Sequence, residues 1–271
     1  NYKLHVFNPD GTIKKRMIEY GGSYFNPICG RSYGSNYKFD IHNDQIYYLD
    51  TGYRTAIHVT DLDGNCIRTT KIEHERYGSY MTSWATIEVT DEYIYLGTGS
   101  CSFYCYTDSS RYREGQKGAG AIKILRRSNF SDVRSFGGQG SYYQHNLWGD
   151  QSDIAISPDG TKLAVASKGA SSVCIHSVSS GGAYISNSCT KVGGRPNGRP
   201  NQNYDRTWWK AWDFRGTYPD YHYDPWGVSF DSSNNVYVVD GPKHILKKFN
   251  SSGSYLSKYG SRDCSGGDFC H

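Results

Sequence analysis

No run in this 271-residue sequence approaches the roughly 18 apolar residues that a membrane-spanning helix needs, so no membrane span is expected. Charge of one sign is gathered nowhere. The 30 Lys and Arg alternate with 26 Asp and Glu, and a net charge of +4 spread in this way argues against nucleic acid as a partner. Local catalytic signatures are missing too: there is no Gly-x-Ser-x-Gly elbow, no His-Glu-x-x-His pair and no phosphate-binding glycine loop. Their absence disfavours an enzyme, although carboxylates assembled from separate strands would leave no local trace. Paired Cys-x-x-Cys zinc knuckles are also absent. The chain opens without an initiator Met or a signal peptide, as expected of a mature product or an excised piece.

Tyr and Gly are abundant, with 25 and 31 residues, whereas hydrophobic residues make up only 37% of the chain. That balance predicts turns and half-buried strands, with little helix. An internal repeat supports this. "DQIYYLDTGYRTAIHVTDLDGNCIRTTKI" (44–72) and "NNVYVVDGPKHILKKFNSSGSYLSKYGS" (234–261) share one grammar: a strand ending in Asp, a loop, then a second strand, a turn and a third strand. "DEYIYLGTGS" with "GAIKILRRSNFSDVRSFGG", and "GTKLAVASKGASSVCIHSVSSGGAYISNS", repeat it. An alternating strand precedes each copy, at Tyr37–His42, Thr86–Thr90, Asp153–Ser157 and Gly227–Asp231. Four short antiparallel strands cannot bury their faces alone, and stacking such units around an axis gives a β-propeller.

The expected fold class is therefore all-β. It comprises four complete four-stranded blades at about 23–72, 78–138, 140–190 and 222–261, all within a single domain, 1–271. The pattern resembles NHL-repeat propellers, most closely in Pro225-Trp226-Gly227-Val228-Ser229-Phe230-Asp231, Asn235–Asp240 and Ile245–Phe249. Tyr2–Phe7 and Thr12–Ile18 match the third and fourth strands of a further blade, which predicts a half blade at the N-terminus and a five-bladed ring once completed. The expected completion is either a continuation of the chain, a fragment of a longer protein, or strands donated by another copy, a head-to-tail contact that can grow into a filament.

Loops leading into first strands share one face with the second-to-third-strand loops. Corners there repeat Gly-Ser-Tyr at Gly22-Ser23-Tyr24, Gly78-Ser79-Tyr80 and Gly140-Ser141-Tyr142, read as turn glycines with tyrosines packed between blades. Two insertions, 101–120 and 191–223, lie on the same face. The second carries Trp208, Trp209, Trp212, Tyr218, Tyr221 and Tyr223, too many aromatics for a plain linker. They are candidates to cover the face, contact a protein partner or stack on a glycan.

His145, His222 and His271 fall in these lead-in corners and form a candidate metal set. Propellers that act as amidating lyases look similar in placing zinc-binding His there, although the correspondence is imperfect. "DLDGN" (61–65) has its glycine two positions too early for a calcium-binding EF-hand loop and reads as a hairpin turn. The eight Cys are even in number, and Asn129 and Asn250 begin N-glycosylation sequons, which together favour an oxidising, extracellular setting. A hairpin turning at 179–182 predicts a Cys174–Cys189 bridge. Cys101–Cys105 and Cys264–Cys270 would close local loops. Cys29 and Cys66 remain, and turn logic sets them at opposite ends of a blade.

No cofactor is required by this reading. It describes an extracellular structural or protein-interaction module, with other copies of itself among the candidate partners. The alternative is a metal-dependent lyase or hydrolase working in the axial pocket, with zinc or calcium as cofactor.

Overall fold

The computed structural model describes residues 3–19, 29, 37–50, 56–72, 76–77, 80–81, 84–98, 122–136, 151–167, 172–192, 225–241 and 245–260. Each of the four repeat units is an antiparallel four-stranded sheet whose strands follow chain order. Blade one holds β3 (Tyr37–His42), β4 (Gln45–Asp50), β5 (Ala56–Asp61) and β6 (Cys66–Lys71). Blade two holds β9 (Trp84–Val89), β10 (Tyr93–Thr98), β11 (Ile122–Arg126) and β12 (Asp132–Phe136). Blade three holds β13 (Gln151–Ile156), β14 (Lys162–Ser167), β15 (Ser172–Ser179) and β16 (Tyr184–Val192). Blade four holds β17 (Pro225–Phe230), β18 (Val236–Asp240), β19 (Ile245–Phe249) and β20 (Tyr255–Tyr259). This is a β-propeller. Ahead of the blades, β1 (Lys3–Phe7) and β2 (Ile13–Glu19) form a hairpin around Pro9-Asp10-Gly11, and among the described residues they pair only with each other. Between blades one and two, β7 (Arg76–Tyr77) and β8 (Tyr80–Met81) make a short ribbon.

The first strand of each blade packs on the first strand of the next, β3 on β9, β9 on β13 and β13 on β17, so these four line the axis. Alternation turns one side chain set of each sheet toward the following blade. Tyr47, Leu49, Ile57 and Val59 of blade one meet Ile87, Val89, Ile94 and Leu96 of blade two. Tyr95 and Ile124 meet Ile154, Leu163 and Val165, and Ala164, Ala166 and Ile175 meet Val228, Val236 and Val238. Each fully buried Leu, Ile or Val contributes about 1.5–3 kcal/mol relative to exposure. The core is thus three layers between blades, and no blade owns one alone.

β3 starts where its alternation begins, whereas β9, β13 and β17 start two residues earlier than the pattern predicts. The reason is physical. In all three, the pairing with the second strand shifts register just after the first residue, leaving Ala85, Ser152 and Trp226 as extra residues. A bulge breaks the two-residue period, so these strand starts do not alternate.

The Asp61–Asn65 segment is a hairpin turn, closed by Gly64 N–H on Asp61 O and by Asn65 N–H on the Asp61 carboxylate. Cys174 and Cys189 are joined across β15 and β16, and Cys29 is joined to Cys66. The second bridge runs against the turn logic, which sets the two cysteines at opposite ends of a blade; Cys29 precedes β3 and comes within 5.0 Å, Cα to Cα, of Cys66 at the start of β6. Two disulfides indicate an oxidising environment.

Candidate functional site: carboxylates along the axis

A first strand at the axis has a free edge, and its N–H groups need acceptors. The sequence supplies them from the neighbouring blade. Asp40 of β3 accepts the N–H of Val89 on β9 through Oδ2 at 2.7 Å. Glu88 of β9 accepts the N–H of Ile156 on β13 through Oε1 at 3.0 Å. Asp153 of β13 accepts the N–H of Val228 on β17 through Oδ2 at 3.0 Å. Asp40 and Glu88 hold equivalent places, opposite Tyr47 and Tyr95, while Asp153 lies two residues nearer the strand start. The run ends at β17, which carries Gly227 and Ser229 where the other strands carry acids. At Gly227 a side chain would come within 3.6 Å of Asp153 Oδ2.

All three acids are partly buried, and burial raises the affinity of each for a proton. Glu88 is raised furthest, to about 8, first by burial and then by the negative charge of Asp40, with Asp153 adding to it. The backbone donors and, for Asp153, the Lys38 ammonium act in the opposite direction. Lys38 reaches from β3 past β9 to place its Nζ 3.5 Å from Ser152 O. Ser152, the bulged residue, donates its Oγ to Pro225 O. On the strand that carries Glu88, Thr86 Oγ1 and Trp84 Nε1 are buried without a hydrogen-bond partner among the described residues.

The donor set suits a hard cation. Carboxylate and hydroxyl oxygens fit calcium or magnesium better than zinc, and a cation would offset the Asp40 and Asp153 charges that add to the effect of burial on Glu88. Among the described residues, the three potential ligands that gather within 4.8 Å are Cys174, His176 and Cys189 rather than the axial acids, and there the two sulfurs are bonded to each other and are not thiolates.

The acids Asp40, Glu88 and Asp153 were not among the residues expected from sequence. Their signal is present but weak: one acid in each of three aligned first strands, YKFDIH, WATIEV and QSDIAI. The expected set falls elsewhere. His145, His222 and His271, the aromatic group Trp208, Trp209, Trp212, Tyr218, Tyr221 and Tyr223, and Cys101, Cys105, Cys264 and Cys270 all lie outside the described residues. Asn129 is exposed in the β11–β12 turn, and Asn250 is partly exposed in the β19–β20 turn.

The sequence matches no protein-family model and no curated protein. Its fold is similar to the solved structure of a gluconolactonase from Xanthomonas campestris. The TM-score is 0.55 and the identity 14%, over 94% of this chain and 67% of that one. This likeness carries the fold. It also corrects the expected function: the neighbour sharing this architecture is an enzyme, a finding against the expected structural or interaction module and its filament. Missing local signatures disfavour an enzyme only when the reacting residues lie close in sequence, and acids drawn from three separate strands leave no such signature.

Proposed function

We propose that this chain is a hydrolase whose reaction takes place at Asp40, Glu88 and Asp153. The observation that carries the reading is the convergence of three partly buried acids from three successive blades on one axis, close enough for Glu88 to feel the charge of both others. Perturbed carboxylates in a shared cleft are a recurrent mark of catalytic sites. Asp40 and Asp153 would hold a divalent cation, which when bound supplies Lewis-acid polarisation of a carbonyl and offsets the local negative charge. Glu88, in its ionised form, takes a proton from water while that water's oxygen bonds to the carbonyl carbon of an ester. The ester C–O bond then breaks, and the leaving oxygen receives the proton that Glu88 holds. Ile156 N–H keeps the Glu88 carboxyl aimed, and Lys38 stands beside the site as a counter-charge.

The gluconolactonase likeness makes cyclic esters of sugar acids the first substrates to assay. Hydrolysis of glucono-δ-lactone, followed by proton release with and without EDTA, tests the reading. Glu88→Gln should lower the rate by about 10²–10⁴-fold while preserving the fold. Full activity in that variant, or none in the wild type across a panel of lactones and esters with divalent cations added, overturns it. The sequons at Asn129 and Asn250 support a secreted, glycosylated protein, and Pro225–Asp231 with Asn235–Asp240 supports an NHL-like repeat within a single domain.

A further inference from the structure

Blades one and two also enclose a cleft of about 500 Å³ near the turns that follow β9 and β11, a size typical of small-molecule sites. Arg68, Arg126 and Arg127 line it together with Val59, Ile67 and Phe130. Two of these guanidinium groups are fixed in place. Arg68 lies 4.2 Å above the Phe130 ring and donates to Ser128 O at 3.0 Å and Asn129 O at 2.9 Å. Arg127 donates through Nε to Asp91 O at 2.7 Å and through Nη1 to the Tyr47 hydroxyl at 3.2 Å. Each has five N–H groups and commits two to these bonds, so donors remain beyond those that tie the blades together.

Two acids, Asp91 and Glu92, also line the cleft. They offset the three arginines only in part, with Asp91 feeling the charge of Arg127, and the lining keeps a net positive charge. The Asp91 carboxylate is engaged by His42 Nε2 at 2.9 Å and Asn43 Nδ2 at 3.1 Å, on blade one, and Glu92 is exposed. Three cations therefore face one carboxylate already taken and one in solvent. The apolar part of the wall is also notable, because Ile67 leaves 52% of its surface exposed beside these charges.

We propose that this cleft binds a small organic carboxylate with an apolar flank, independently of the axial hydrolase site. The carboxylate takes the guanidinium donors, which favour planar, two-point recognition of such groups, and the flank covers Ile67. Because Arg68 and Arg127 are already immobilised, little side-chain entropy is lost on binding.

Titration calorimetry on the full chain, with phenylacetate and acetate as probes, tests this. Arg126→Ala is the informative variant: Arg126 is exposed and its guanidinium stands 5.7 Å over the Tyr93 ring, so its removal leaves the bonds between blades intact. Phenylacetate should bind more tightly than acetate, and Arg126→Ala should weaken both by roughly tenfold. Ile67→Ser should weaken phenylacetate by about fivefold and leave acetate unchanged. Circular dichroism checks that both variants fold. No heat of binding in the wild type, equal affinity for the two probes, or phenylacetate affinity untouched by either variant overturns the proposal. Absence of lactonase activity in the wild type, with phenylacetate binding intact, would count against the axial site alone.

Discussion

Glu88 and Asp91 lie three residues apart, one near the end of β9 and the other in the turn beyond it, yet their protons behave in opposite ways. Glu88 is raised to about 8 by burial and by the charges of Asp40 and Asp153. Asp91 is lowered, first by its hydrogen bond from His42 and then by that from Asn43. Both accept hydrogen bonds, so acceptance by itself does not set the direction. Burial decides which wins: at exposed Asp91 the hydrogen bonds prevail, and at Glu88 burial outweighs them. The same blade pair therefore places an acid of raised proton affinity at the axis and one of lowered proton affinity at the outer turn.

The largest change expected from breaking this contrast is in catalysis. Glu88→Gln keeps the acceptor for Ile156 N–H but cannot move a proton, and lactone hydrolysis should fall by the 10²–10⁴-fold given above. Next comes the cation. At about 100 times its dissociation constant, calcium should stabilise the protein by about 2.7 kcal/mol in thermal unfolding. Asp40→Asn with Asp153→Asn should remove that gain, and an equal gain in the double variant would show that the ion binds elsewhere.

A smaller effect is expected from pH in EDTA. The folded state raises Glu88 from 4.5 to about 8, so the stability tied to its proton is full below about pH 4.5 and is lost as pH climbs through about 8. Between about pH 6.5 and 8 the loss should be on the order of 2 kcal/mol, at about 1.4 kcal/mol per pH unit, and should flatten in Glu88→Gln. A wild-type curve that rises over this range would mean that Glu88 is ionised in the folded protein. The smallest effect belongs to Asp91, whose lowered proton affinity contributes stability above its ordinary 3.8 that is lost only as pH falls below it. Asp91→Asn should change the melting temperature little at neutral pH, and less still in high salt, because the pair with His42 is exposed.

Legibility in the sequence followed the range of the interaction. The turns at Pro9-Asp10-Gly11 and Pro158-Asp159-Gly160 could be read because Asp10 binds Thr12, and Asp159 binds Thr161, two residues on. The Cys174–Cys189 bridge could be proposed because it spans one hairpin, 15 residues apart. The Cys29–Cys66 bridge spans 37 residues and two structural contexts, and turn logic set its ends apart. Strand starts at Trp84, Gln151 and Pro225 were hidden by bulges.

By itself the sequence determined that four units of alternating strands would form and that their faces would need one another for burial, because a two-residue period and turn chemistry act between near neighbours. The tertiary structure alone decided that Asp40, Glu88 and Asp153 would share an axis, where burial and the charges of Asp40 and Asp153 raise the proton affinity of Glu88. Their hydrogen bonds cross separations of 49, 68 and 75 residues. Charge interaction depends on distance and dielectric in space, and neither can be read along the chain.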